Sequence, residues 1–310
     1  MIVLPEYLLF AQHGWADTNS AMADLAQQVT GDHAVHIEAP NLSYVQTWLS
    51  IKPLIRAVEI LAINALSQFP GIPIRVIGHS MGGLIWLEVL HRHPNWWPQL
   101  EFLVLLASPV GGADLGRIFD PLQVGLGIAA DLGINRRPLA EELAAQRPTL
   151  VIAGDVDNGS DGTIPVESTK VNGAQFLRLE GLSHPQVRNH PAVAEAIREF
   201  WQGRPVGETL QESQLIRQLR QVSGMTDGHA RDLLKARIAV QLSDGNTLRV
   251  WRNPFGVFHL YVVSAQGRCI YSGFLGWIHE EDLWRLIRQL QATTQDVVLG
   301  PTAEDDSHRR

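Results

Sequence analysis

The chain has 310 residues, 45% of them hydrophobic and 18% charged, a balance that fits a globular protein of one or two domains. A formal net charge of -7 argues against a nucleic-acid surface, which needs a basic field, and leaves neutral substrates open. The single cysteine, Cys269, excludes an internal disulfide and a metal-thiolate site and suits a reducing, cytoplasmic setting.

Met1 to Glu6 lacks a basic region, and Pro5 and Glu6 interrupt its apolar stretch, so no signal peptide is expected there. No apolar run reaches the length of a membrane span. Short apolar runs then alternate with helical patterns, the sign of a mostly parallel sheet covered on both faces. Six strands are expected, at 7–11, 34–37, 74–77, 100–106, 149–153 and 175–179, and most are too apolar to be half exposed. Ser50 and Pro53 open a helix carrying Leu54, Val58, Leu61, Ala62 and Ala65; Met81 to His93 forms another, and Pro191 to Trp201 a third. Gln202 to Gly207 reads as a linker between a first domain, 1–202, and a small α+β accessory domain at 208–297. In that second domain, strands at 247–251, 257–263 and 269–274 follow a helix carrying Leu215, Leu219 and Val222. A closing helix carries Leu283, Ile287 and Leu290, and residues 298–310 are expected to be a disordered tail.

The third strand ends in Gly78-His79-Ser80-Met81-Gly82, continued by Gly83, at the start of an apolar helix. A serine held in a tight strand-to-helix turn needs glycines two residues before and after it, because side chains there would collide with the neighbouring strand and helix. Downstream come a cluster of aspartates, Asp155, Asp157 and Asp161, beyond the fifth strand, and then His184 beyond the sixth. Serine, acid and histidine in this order, each at the carboxyl end of a strand, is the arrangement of a nucleophile, an orienting carboxylate and a general base.

Residues 7–201 resemble a compact α/β-hydrolase of the lipase and esterase kind. The resemblance rests on His13-Gly14-Trp15 after the first strand, the Ser80 pentapeptide with Gly83, Asp161-Gly-Thr-Ile-Pro165, and Gly181-Leu-Ser-His184. It implies a serine hydrolase that needs no cofactor and cleaves carboxylic esters with an apolar acyl group, through a Ser80, His184, Asp161 triad. It also implies an oxyanion hole made by the backbone N–H groups of Met81 and Trp15. Asp157 stands as an alternative acid and Asp114 as a more distant one. His13 is expected to shape the oxyanion loop and His190 to cap the last helix of the domain. A thioesterase or acyltransferase would use the same acyl-enzyme, while a non-catalytic scaffold on a hydrolase fold is the reading from another class.

The expected partners are a small-molecule or lipid ester, with transient membrane-surface contact but no transmembrane segment and no nucleic acid. The protein partner of the second domain is unspecified. His91 and His93, two apart on a helix, do not share a face and suit a helix terminus better than a metal. Val110 to Pro148 is longer than a crossover helix needs, and its apolar, glycine-rich makeup fits either a lid over the site or a buried helix.

Overall fold

The computed structural model describes residues 4–44, 46–112 and 128–298. The chain divides into two units, Met1–Glu212 together with Asp227–His229, and Ser213–Thr226 together with Ala230–Arg310.

The first unit is built on seven strands: β1 (Tyr7–Gln12), β2 (Val35–Glu38), β3 (Ile74–His79), β4 (Leu100–Leu106), β5 (Thr149–Asp155), β6 (Gln175–Glu180) and β7 (Glu208–Thr209). Their order is β2-β1-β3-β4-β5-β6-β7; every neighbouring pair is parallel except β6 with β7. Its helices are α1 (Ser20–Thr30), α2 (Gln46–Leu49), α3 (Ile51–Gln68), α4 (Met81–Arg92), α5 (Ile128–Leu132), α6 (Arg137–Ala144), α7 (Val166–Thr169) and α8 (Pro191–Trp201). This is the doubly wound α/β arrangement that the alternating pattern implies.

All six residues of β1 are buried, and strand periodicity divides them between two cores. Leu8 and Phe10 pack with Leu54 and Val58 of α3 and Leu84 and Leu87 of α4. Tyr7, Leu9 and Ala11 pack with Leu25 of α1 and Val193 and Ile197 of α8. A strand buried on both faces has no polar side to display, which is why these segments read as unbroken apolar runs. Ser50 caps α3 by accepting from Lys52 N at 3.3 Å. α1, the short α2 and α7, and β7 are additional to the elements expected from sequence, and α5 and α6 fall within the 110–148 segment. α1 does show helical spacing, burying Met22, Leu25, Ala26 and Val29, whereas a two-residue edge strand leaves no periodic trace.

The second unit carries α9 (Gln214–Gln221), an antiparallel sheet and α10 (Glu280–Val298). The sheet comprises β8 (Thr226–Asp227), β9 (Arg237–Gln241), β10 (Thr247–Arg252), β11 (Phe258–Val263) and β12 (Cys269–Leu275), in the order β8-β12-β11-β10-β9. Ile216, Leu219, Leu248, Leu260, Tyr271 and Leu283 form its separate core. Among the described residues, no helix is long and apolar enough to cross a membrane. Asp114, residues 113–127 of the segment that fits either a lid or a buried helix, and the tail beyond 298 lie outside the described residues.

Candidate active site

Ser80 joins β3 to α4 with φ 53° and ψ −124°, a conformation that costs a side-chain-bearing residue roughly 1–3 kcal/mol. The surroundings hold it there: its N–H donates to Leu106 O at 2.8 Å, and its carbonyl accepts from Gly83 N at 3.1 Å. The flanking glycines are required by close approach. A Cβ on Gly82 would fall on the Gln12 carbonyl, and one on Gly78 on the backbone of Gly83. Gly14 meets the same constraint from the other side, since its Cβ would stand 2.8 Å from Ser80 Cβ and 3.3 Å from Met81 N. The loop after β1 and the turn after β3 therefore touch, as the register that sets Gln12 beside Gly78 requires.

His13 secures that loop. Its Nε2 accepts from Leu42 N at 2.9 Å, so the proton sits on Nδ1 and is donated to Gly14 O, also at 2.9 Å. Burial pushes its pKa below the ordinary histidine value, which keeps the ring neutral. Trp15, next in the loop, meets the Trp48 ring edge-on at 4.2 Å. Met81 occupies the first position of α4, where a backbone N–H has no partner within the helix.

Asp161 is 2% exposed, and both of its carboxylate oxygens are engaged. Oδ1 accepts from Thr163 N at 2.9 Å and Ile164 N at 2.6 Å, while Oδ2 lies 2.7 Å from His184 Nδ1. A further bond, His184 N to Asp161 O at 2.8 Å, ties the two loops together through the backbone. A carboxylate accepts from Nδ1 only when that nitrogen carries the proton, so His184 Nε2 keeps a lone pair for chemistry. Asp157 is turned to other work: its oxygens accept from Ser160 N and Ser160 Oγ at 2.8–2.9 Å. Asp155 accepts from Asp157 N and Gly159 N and pairs with Arg178.

Ser80, Met81, Trp15 and His184 line one cavity of ≈ 220 Å³, together with Asp17, His79, Ile164 and Arg188. No hydrogen bond joins Ser80 Oγ to His184 among the described residues; nucleophile–base contacts often close only when substrate is bound.

His79 sits beneath this arrangement. Its Nε2 donates to His184 O at 3.2 Å and its ring lies 4.7 Å from that of His184. Burial above all, and then the neighbouring His184 and the Arg188 guanidinium, push its pKa well below the ordinary value, so His79 is a neutral prop under the His184 loop. The motif pointed to its serine and glycines and was silent about this contact across 105 residues of sequence. Asp17 and Arg188, an ion pair on the cavity wall, were equally silent, being 171 residues apart. His190 caps α8 by accepting from Ala192 N at 3.2 Å. His93 lies 2.8 Å from Glu59 and stacks on Trp96.

No protein-family model matches the chain, and no curated protein matches it. Solved structures do. The lipase BlEst2 of Bacillus licheniformis, in its propeptide form, matches with a TM-score of 0.51 and 13% identity, over 88% of this chain and 72% of that one. The product of the lin2722 gene of Listeria innocua matches with a TM-score of 0.48 and 16% identity, over 66% and 96%. Phospholipase PlaB from Legionella pneumophila matches with a TM-score of 0.47 and 16% identity, over 63% of this chain; the match spans only 59% of the phospholipase. At such identities a likeness speaks for the fold. The first unit has the α/β-hydrolase fold, followed by a small domain with an antiparallel sheet.

Proposed function

We propose that the chain is a serine hydrolase of carboxylic esters with an apolar acyl group. The observation that carries this reading is that His184, hydrogen-bonded to the buried Asp161, lines the same small cavity as a serine in a strained elbow. In this mechanism His184 Nε2 takes the Ser80 proton as Oγ attacks the acyl carbonyl, then hands it to the departing alcohol. Asp161, already hydrogen-bonded at both oxygens, stabilises the imidazolium formed in between. The N–H groups of Met81 and Trp15 receive the oxyanion, each worth about 3–4 kcal/mol in a dry site. Water activated by the same imidazole releases the acid. Met81, Pro109, Leu132 and Ile164 on the cavity wall suit an aliphatic acyl chain. In the same reading the first unit is the catalytic domain and the second an accessory domain.

A fluorophosphonate probe tests the nucleophile. One label is expected, at Ser80, and none in Ser80→Ala; folded wild-type protein that takes no label would remove the proposal and favour a scaffold. A p-nitrophenyl ester series of increasing chain length then measures the acyl preference, and added alcohols or thioester substrates distinguish hydrolysis of esters from acyl transfer or thioester cleavage.

A further inference from the structure

The cavity carries one feature that the triad chemistry does not use. Asp17 lies two residues after Trp15, and Arg188 four residues after His184, so the loops that carry the proposed oxyanion donor and the proposed base are joined by an ion pair facing the cavity. The two side chains are 14% and 23% exposed, sheltered from solvent without being sealed off. Arg188 Nη1 donates to Asp17 Oδ2, and Asp17 Oδ1 accepts from Thr18 N at 2.7 Å. Those bonds leave the pair far from saturated. A guanidinium has five N–H donors and a carboxylate about four acceptor positions. Among the described residues Arg188 spends a single donor, and its Nε is buried with no partner.

We propose that Asp17 and Arg188 form a subsite for hydroxyl groups on the alcohol half of the ester, which makes the substrate class an acyl ester of a polyhydroxylated alcohol. The inference rests on the ester-hydrolase reading above. Three arguments converge on it. The pair is neutral overall, so a fully charged group gains little attraction and would have to displace Asp17 from its arginine. A hydroxyl is both donor and acceptor, and a vicinal pair of them can give to Asp17 while receiving from Arg188. The leaving alcohol must also stand beside His184 to receive its proton, and Arg188 follows His184 by a single short turn, Gln186–Arg188. Apart from Thr163, His79 and the proposed catalytic Ser80 and His184, the rest of the wall is lined by residues such as Met81, Pro109, Leu132 and Ile164, whose side chains have nothing to offer a hydroxyl.

The test holds the octanoyl chain constant and varies the alcohol: ethanol, glycerol, glucose esterified at its primary hydroxyl, and glycerol phosphate. In the wild type, kcat/KM for the glycerol or the glucose ester should exceed that for the ethyl ester by roughly tenfold or more, mostly through KM, as hydrogen bonds to charged partners allow. Whichever polyol is favoured identifies the source of the hydroxyls. In Asp17→Asn and in Arg188→Gln the ratio should collapse towards one, with melting temperatures measured to verify folding. Should either variant fail to fold, product inhibition of the wild type supplies the answer, since free glycerol should compete against the ethyl ester where propanol does not. Equal use of ethyl and polyol esters, a preference for the phosphorylated ester, or an equal loss on every ester in both variants would each overturn the subsite; the last would make the pair a clasp between two loops. Absence of turnover on every ester together with absence of phosphonate labelling at Ser80 would instead remove the hydrolase reading on which the subsite rests.

Discussion

The two units handle tight turns in opposite ways. In the second unit, positive φ is confined to glycines among the described residues, as at Gly245, Gly256 and Gly267 in the hairpin turns, where such backbone costs least. Among the described residues of the first unit, four with side chains, Ala16, Ser80, Ala107 and Asn158, take positive φ, and they follow β1, β3, β4 and β5 at the carboxyl edge of the sheet. That edge also holds buried neutral histidines, His13 and His79, and the buried Asp161 paired with the half-buried His184. Strain and buried polarity are thus gathered on one rim, the rim at which the proposed active site lies.

The sharpest way to break this contrast is through the acid. Asp161→Asn should lower kcat by about 10³- to 10⁴-fold, because the imidazole loses its orienting acceptor. Asp157→Asn, which disturbs a turn with Ser160, should cost less than about tenfold. The reverse ranking on a p-nitrophenyl ester would move the acid to Asp157.

A second experiment asks how far the first unit depends on residues late in the chain. Arg137 is 5% exposed and donates to Lys170 O, Glu167 O and Asp227 Oδ2, the last at 2.6 Å. Asp227→Ala leaves this guanidinium buried without its carboxylate and should destabilise the unit by roughly 3 kcal/mol, or several degrees in Tm. Removal of everything after Trp201 should be more damaging still, since it also takes away β7. Unchanged melting in Asp227→Ala would show the ion pair to be dispensable.

The buried histidines set the pH response. The folded pKa values of His13 and His79 lie below 6.5, mainly through burial, so below that pH the unfolded chain binds protons that the folded chain refuses. Stability should therefore fall as pH drops below 6.5, by up to about 1.4 kcal/mol per pH unit for each ring, until the folded pKa is reached. Thermal melts from pH 8 to pH 5 should show a shallower acid limb in His79→Gln than in wild type; parallel limbs would remove His79 from the account.

The smallest effects bear on backbone strain itself. Ser80→Gly should melt higher than Ser80→Ala, by roughly 1 kcal/mol of stability, because glycine accepts φ 53° freely while both variants lack the hydroxyl. Gly267→Ala in the second unit should lose about 1 kcal/mol, since space is open around it but its φ is 81°. Equal melting of the two Ser80 variants would mean that the elbow stores no strain.

Much of the architecture was legible in the chain because strands buried on both faces must be apolar along their whole length, and β4 occupies the span expected from sequence, 100–106. β7, β8 and β9 escaped, the first two for being only two residues long and the third for exposing most of its side chains. The group at the rim was legible only in part. Glycine spacing around Ser80 advertises an unusual turn, because few other residues survive backbone contact that close. Nothing in Asp161 as a letter distinguishes it from Asp157 four positions earlier; the distinction comes from which carboxylate the His184 loop reaches.

By itself the sequence determined a doubly wound sheet, a second small domain, an elbow at Ser80, and the chain order of serine, aspartates and histidine, all of which follow from local periodicity and turn chemistry. Tertiary structure alone decided that Asp161 meets His184, that His79 supports the same loop from below, and that Asp17 faces Arg188. These partners lie 23, 105 and 171 residues apart. Their meeting depends on how loops of unequal length converge at one sheet edge, a property of packing that no local pattern of residues encodes.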